Sequence, residues 1–276
     1  MREKWFWNNQ KNTFTRLLIT CHTKLKCTEN YYSIGEKMGE KIKIVYYTQD
    51  GEKQLEVDRK TEELILREKS VVDIDLTNVN KLIKVRKIDL SFNSLKEIDL
   101  SPLANHPTLG YLSLWYNNIE ALDLSPLASC QKLEGLVIGN NLFPSVDLSP
   151  LSDCKLLKDL RIEGITKKNL KDIELFPLSS CKKLQILRLN DNSLKQIDFS
   201  PLSDGDSIRH INLSFNKIKR LDLSPLSSCF TLEDIILNDN PFLSLDLSSF
   251  KNHPNLKKIR VDETVSVEPL LPFVIH

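Results

Sequence analysis

Leu112–Leu136 reads LSLWYNNIEALDLSPLASCQKLEGL, and its parts return along the chain. The stretch opens on Leu-x-Leu, places an Asn three residues after the second Leu, and runs into LDLSPL. Aligning such openings gives first members Leu64, Ile88, Leu112, Leu136, Leu160, Leu187, Ile211, Ile235 and Ile259. Every step is 24 residues except Leu160 to Leu187, which is 27. The Asn recurs as Asn93, Asn117, Asn141, Asn192, Asn216 and Asn240. Five residues after each Asn begins an apolar pair around an acid, as in IDL at 98–100 and LDL at 221–223.

A fixed period of this length is the mark of stacked supersecondary units. In Leu-x-Leu the two apolar side chains point one way and the middle residue the other, as a strand requires. One such strand cannot bury itself, but strands stacked about 4.8 Å apart share a continuous core. The Asn suits the point where the chain turns inside that core. Its amide can satisfy backbone groups of neighbouring coils that water cannot reach.

On these residues, from 61 to 262, the chain resembles the leucine-rich-repeat family in a short, 24-residue form. The resemblance implies a β-rich α/β solenoid, a horseshoe with a parallel concave sheet and short helical or 3-10 turns on its convex side. The register puts strand centres at residues 65, 89, 113, 137, 161, 188, 212, 236 and 260.

SPL follows the second apolar pair at 101–103, 125–127, 149–151, 200–202 and 224–226. Ser caps and Pro opens a helical turn well, so a turn is expected there. The copy at 176–178 is FPL, next to a three-residue insertion in EGITKKNL (163–170), where Ile165 takes the Asn slot. The stack should be irregular there, with a segment looped out beside the sheet. Residues 41–57 alternate around Asp50-Gly51 and read as a β-hairpin. The expected organisation is a basic, aromatic extension at 1–37, a hairpin cap at 38–60, repeats at 61–262 and a C-terminal cap at 263–276.

Composition narrows the function. A formal net charge of +1 gives no global field towards nucleic acid or an anionic membrane. No run of about 18 apolar residues exists, and the N-terminus builds no apolar signal-peptide core, so a cytoplasmic, reducing address is expected. Arg2, Lys4, Lys11, Arg16, Lys24 and Lys26, with Trp5, Phe6 and Trp7, could touch a membrane surface. A flexible or cap-packed extension is the favoured reading, and no membrane contact is expected.

Two columns and a scatter of histidines invite chemistry. Cys130, Cys154, Cys181 and Cys229 share one repeat position, without the Cys-x-x-Cys spacing of a metal site, and read as small buried hydrophobes. Asp75, Asp99, Asp123, Asp147, Glu174, Asp198, Asp222 and Asp246 form one outward acidic column. Calcium-binding solenoids pair such acids with Gly-rich turns, which are lacking here, so hydrogen bonding within the turn is expected instead. The histidines His22, His106, His210, His253 and His276 are not placed by the register beside a matched carboxylate and nucleophile. Neither a metal, a cofactor nor an enzymatic activity is expected.

The sheet face is where the copies disagree. Its outward positions read Lys87/Asp89/Ser91, Tyr111/Ser113/Trp115, Gly135/Val137/Gly139, Asp159/Arg161/Glu163 and Ile186/Arg188/Asn190. They continue as His210/Asn212/Ser214, Asp234/Ile236/Asn238 and Lys258/Arg260/Asp262. Aromatics beside bare glycines, with arginines beyond, resemble a protein-binding hot spot. The expected contact residues are Tyr111, Trp115, Val137, Arg161, Arg188 and His210. Alternating charges argue against nucleic acid. The expectation is a monomeric, non-catalytic module or scaffold that binds a protein on its concave face. A lipid-like or small ligand in a recess at Tyr111 and Gly135, apposed to a membrane through the extension, is the alternative.

Overall fold

The computed structural model describes residues 40–164, 170–205 and 207–275, together with the two strands at 4–8 and 13–17. The chain divides into two compact units, 1–38 and 39–276. In the first, β1 (Lys4–Asn8) and β2 (Thr13–Leu17) pair antiparallel, with Lys4 opposite Leu17. The sequence hid this hairpin, because Trp5, Phe6 and Trp7 are consecutive and offer no period of two.

In the second unit β3 (Lys41–Thr48) and β4 (Gly51–Asp58) form the hairpin over 41–58. Gly51, at φ +100°, takes the left-handed conformation that the tight connection demands. β5 (Glu63–Ile65) begins the repeats, and β6 (Val71–Asp75) turns back to pair antiparallel with β3, making a three-stranded sheet β4-β3-β6. The coils then supply β7 (Lys87–Asp89), β8 (Tyr111–Ser113), β9 (Gly135–Val137), β10 (Asp159–Arg161), β11 (Ile186–Arg188), β12 (His210–Asn212) and β13 (Asp234–Ile236). After β14 (Ser244–Asp246) come β15 (Lys258–Arg260), β16 (Ser266–Glu268) and β17 (Val274–Ile275).

Among the described residues one ten-stranded parallel sheet runs β5-β7-β8-β9-β10-β11-β12-β13-β15-β17. Leu112 lies opposite both Ile88 and Leu136, and Leu160 opposite Leu187, so pairing stays in register across the insertion. The strands centre one residue before the expected positions, on the first Leu of each Leu-x-Leu. Residues 266–275 continue the stack: β16 pairs with β14 and β17 with β15. Each SPL opens a 3-10 turn, as at Ser125–Ser129 and Ser149–Asp153, with Pro at the start.

Three layers of repeated side chains hold the coils together, and a fourth column braces each turn from within. Leu112, Leu114, Leu136 and Leu160 are fully buried. The ladder asparagines lie just beneath them. Asn117 Nδ2 donates to Leu90 O and Leu114 O, both at 3.0 Å, while its Oδ1 accepts from Leu95 N at 3.1 Å. Asn141 repeats the pattern with Leu114 O, Ile138 O and Ile119 N, and Asn192 with Ile162 O, Leu189 O and Leu170 N. Each amide thereby serves backbone groups of its own coil and of the coil before, where an unpaired group would cost about 1–3 kcal/mol.

The cysteines form the third layer. Cys130, Cys154, Cys181 and Cys229 are buried, and their thiols donate to Leu103 O, Leu127 O, Leu151 O and Leu202 O at 3.2–3.4 Å. Burial pushes the Cys154 thiol up to about 12 and the Cys181 thiol up to about 11. The acidic column is the fourth. Asp75, Asp99, Asp123, Asp147, Asp198, Asp222 and Asp246 each accept the backbone N–H two residues on at 2.8 Å. Bonds from the Ser or Thr hydroxyl and backbone hold Asp75, Asp123, Asp147, Asp198 and Asp246 below the usual carboxylate range. Of the loop expected at 163–170, residues 165–169 lie outside the described residues.

Candidate functional site

The ten-stranded sheet fixes the outward positions of neighbouring coils side by side, so Tyr111, Gly135, Asp159 and Ile186 form one row. Ser113, Val137, Arg161 and Arg188 form the next. Of the six expected contact residues, Tyr111, Trp115, Arg161, Arg188 and His210 are half-buried on this face. Val137 is only 6% exposed and offers a partner little area.

The bare floor expected at the glycines is corrected by the geometry. A Cβ on Gly135 would stand 2.4 Å from Tyr111 Cδ2, so the Tyr111 ring lies across Gly135 rather than rising beside it. A Cβ on Gly139 would meet Glu163 O at 2.4 Å and Glu163 N at 2.5 Å. Both glycines are needed for close approach, one to a ring and the other to the backbone of the next coil. The recess on which a small-ligand reading depended is therefore filled by the protein's own phenol. Lys87 Nζ sits 5.6 Å from the centre of that ring.

The arginines are also engaged. Arg161 makes two bonds of 2.8 Å to Asp159, its neighbour two residues back on the same face. Burial works against the Arg161 charge, but the Asp159 bonds and the nearby Glu163 hold it above its ordinary range. Arg188 Nη1 reaches Glu163 Oε1 at 3.4 Å. Burial nevertheless raises Glu163 above the usual carboxylate range, against the pull of Arg188 and Arg161. Tyr111 is raised by burial too. His210 Nδ1 lies 2.9 Å from Asp234 Oδ2. The guanidinium groups are thus not waiting for a partner's acid. They form a fixed polar pavement that a partner must match.

An aromatic group that the register alone did not single out flanks this pavement. Phe92 meets Trp115 edge-on at 4.7 Å between ring centres and stacks on Tyr116 at 5.2 Å. The Arg67 guanidinium covers Phe92 at 4.3 Å. Phe92 and Tyr116 occupy the position just before the ladder Asn, where φ is +56° and +59°. Other coils place Asn140, Asp191 and Asp239 there, residues that tolerate left-handed backbone far better than aromatics do. Phe215 repeats the exception and is 49% exposed, and Tyr116 is 50% exposed. The legible signal was a bulky ring in a column otherwise filled by small or polar residues, as at Glu68, Asn140, Asp191 and Asp239.

A parallel sheet of leucine-faced coils, tied by an asparagine ladder and turned by SPL, defines a leucine-rich-repeat solenoid, and the chain has that fold. A BspA type leucine rich repeat region matches residues 152–268 in six copies. Among solved structures, an internalin C2 from Listeria monocytogenes is similar, at 24% identity and a TM-score of 0.59, over 75% of this chain and 85% of that one. An internalin from the same organism is similar at 24% identity and a TM-score of 0.59, over 76% of this chain and 56% of that chain's length. At that identity the likeness is one of fold. No curated protein matches.

Proposed function

We propose that this chain is a non-catalytic protein-interaction module whose contact surface is the sheet face from Phe92 to Arg188. One observation carries the reading. Columns that build the core repeat from coil to coil, whereas those on the sheet face vary, Arg161 and Arg188 apart, and gather half-buried aromatics beside fixed ion pairs. Solenoids of this kind create extended binding surfaces, and the family resemblance agrees. Aromatic and Arg anchors are the residues that dominate binding energy at interfaces. The Arg161–Asp159 and Arg188–Glu163 pairs select for a partner with its own donors and acceptors rather than a run of acids.

A photo-crosslinking residue at Ile186 or Arg188 should trap the partner, whereas one at Ser125 on a convex turn should not. Equal trapping from both faces would reject the sheet-face reading. Wild type should also retain a partner that the Trp115→Ala, Arg188→Ala double variant loses.

A further inference from the structure

A small cavity lies between coils, lined in part by Gly139, Asn140, Ile162, Glu163 and Gly164. Asn140 is 2% exposed, and among the described residues neither its Nδ2 nor its Oδ1 has a hydrogen-bond partner. Asn190 and Asn238 each leave one side-chain atom unpaired, but Asn140 leaves both. A buried amide in that condition is costly, and native interiors nearly always satisfy it. From these observations we propose that the cavity binds one water molecule, held by the Asn140 amide and bridging it towards Glu163.

Size and chemistry both select water. The cavity holds about 10 Å³ of water-accessible space, at the lower bound of what a single water needs. The guest must accept a bond from Nδ2 and donate one to Oδ1. Water does both, a metal cation cannot accept, and an anion cannot donate. A second cavity of the same volume makes the contrast. It is lined mainly by Leu178, Cys181, Leu184, Leu202 and Ile208, and the Cys181 thiol is already spent on Leu151 O. An apolar hole of that kind stays dry. Equal volumes, one wet and one dry, follow from the side chains around them.

The position gives the water a role. It lies where the repeat lengthens to 27 residues and Ile165 replaces the ladder Asn, so the guest supplies hydrogen bonds at the place where the amide column breaks. It also lies behind Glu163, whose carboxylate faces Arg188 in the proposed contact surface.

A high-resolution crystal structure of the whole chain should show one ordered water within about 3.2 Å of the Asn140 amide and none in the Cys181 cavity. Oxygen-17 relaxation dispersion should count one fewer long-lived water in Asn140→Gly than in wild type. Glycine accepts the φ of +57° at this position, so the variant loses the amide without straining the backbone. An unchanged count would overturn the proposal, as would an Asn140 amide bonded to protein. Density that strengthens when sodium is exchanged for rubidium would overturn it too, since it would mark a cation.

Discussion

The asparagine column and the sheet face pass through the same coils under opposite rules. Asn117 and Asn141 make the same three bonds to equivalent atoms, and exchanging one coil for the next would leave the column unchanged. Moving one coil along the sheet face replaces Trp115 by Gly139 and then by Glu163. Stability is therefore shared among the coils that carry the ladder Asn, while any recognition is concentrated at particular coils. The two jobs can be damaged separately, and that is how the comparison can be broken.

The largest contrast should appear in thiol chemistry. With its pKa pushed up to about 12 by burial, Cys154 has roughly a thousandfold less thiolate than an ordinary cysteine at the same pH. Native Cys130, Cys154 and Cys181 should resist alkylation and label at once after denaturation. Rapid native labelling, or zinc retained through purification, would remove the cysteines from the repeated, structural set.

Next in size is Asn117→Ala. Leu90 O and Leu114 O keep other ladder partners in Asn93 and Asn141, but Leu95 N would lose its acceptor. The expected loss is about 3 kcal/mol, read from urea unfolding. A loss below about 1 kcal/mol would show that the amide column is not what ties the coils.

Trp115→Ala should act mainly on binding. A hot-spot aromatic is worth about 2 kcal/mol or more, so affinity should fall at least tenfold. The sequence alone suggests an exposed ring whose removal leaves stability untouched. The edge-on contact with Phe92 instead predicts a loss of about 1 kcal/mol in folding as well. Unchanged binding in a variant that stays folded would take Trp115 out of the contact surface.

The smallest effect concerns the acids of the convex turns. Asp75, Asp123, Asp147, Asp198 and Asp246 have folded pKa values below the unfolded one. Their contribution is present above the unfolded pKa of about 3.9 and is lost as pH falls through the lower folded values. The urea midpoint should drop between about pH 5 and pH 2, and Asp147→Asn should flatten that drop slightly. An identical acid response in the variant would deny the turn bond its role.

The sequence disclosed whatever the repeat forces to be identical. Leu112 and Leu136 had to be adjacent, and Asn117 had to face inwards, because a period of 24 with inward Leu-x-Leu admits one stacking. What depends on two different coils at once was not legible. Tyr111 folds over Gly135 because the next coil leaves room there, and Phe92, Trp115 and Tyr116 meet across neighbouring coils. The Asp159 and Glu163 partners of the arginines were visible as residues, but not as partners, since pairing is set by side-chain reach.

The ladder also has a direction. Asn117 completes the coil that carries Leu90 and Leu95, and Asn141 completes the coil that carries Leu114 and Ile119, always reaching backwards along the chain. Wherever the next coil carries the ladder Asn, a turn of the solenoid is finished by its successor, like a tile in a row pinned by the one laid after it. Shortening such a row from its later end strips the pin from whichever coil becomes last. Removing early coils takes away pinned tiles and leaves every remaining pin in place.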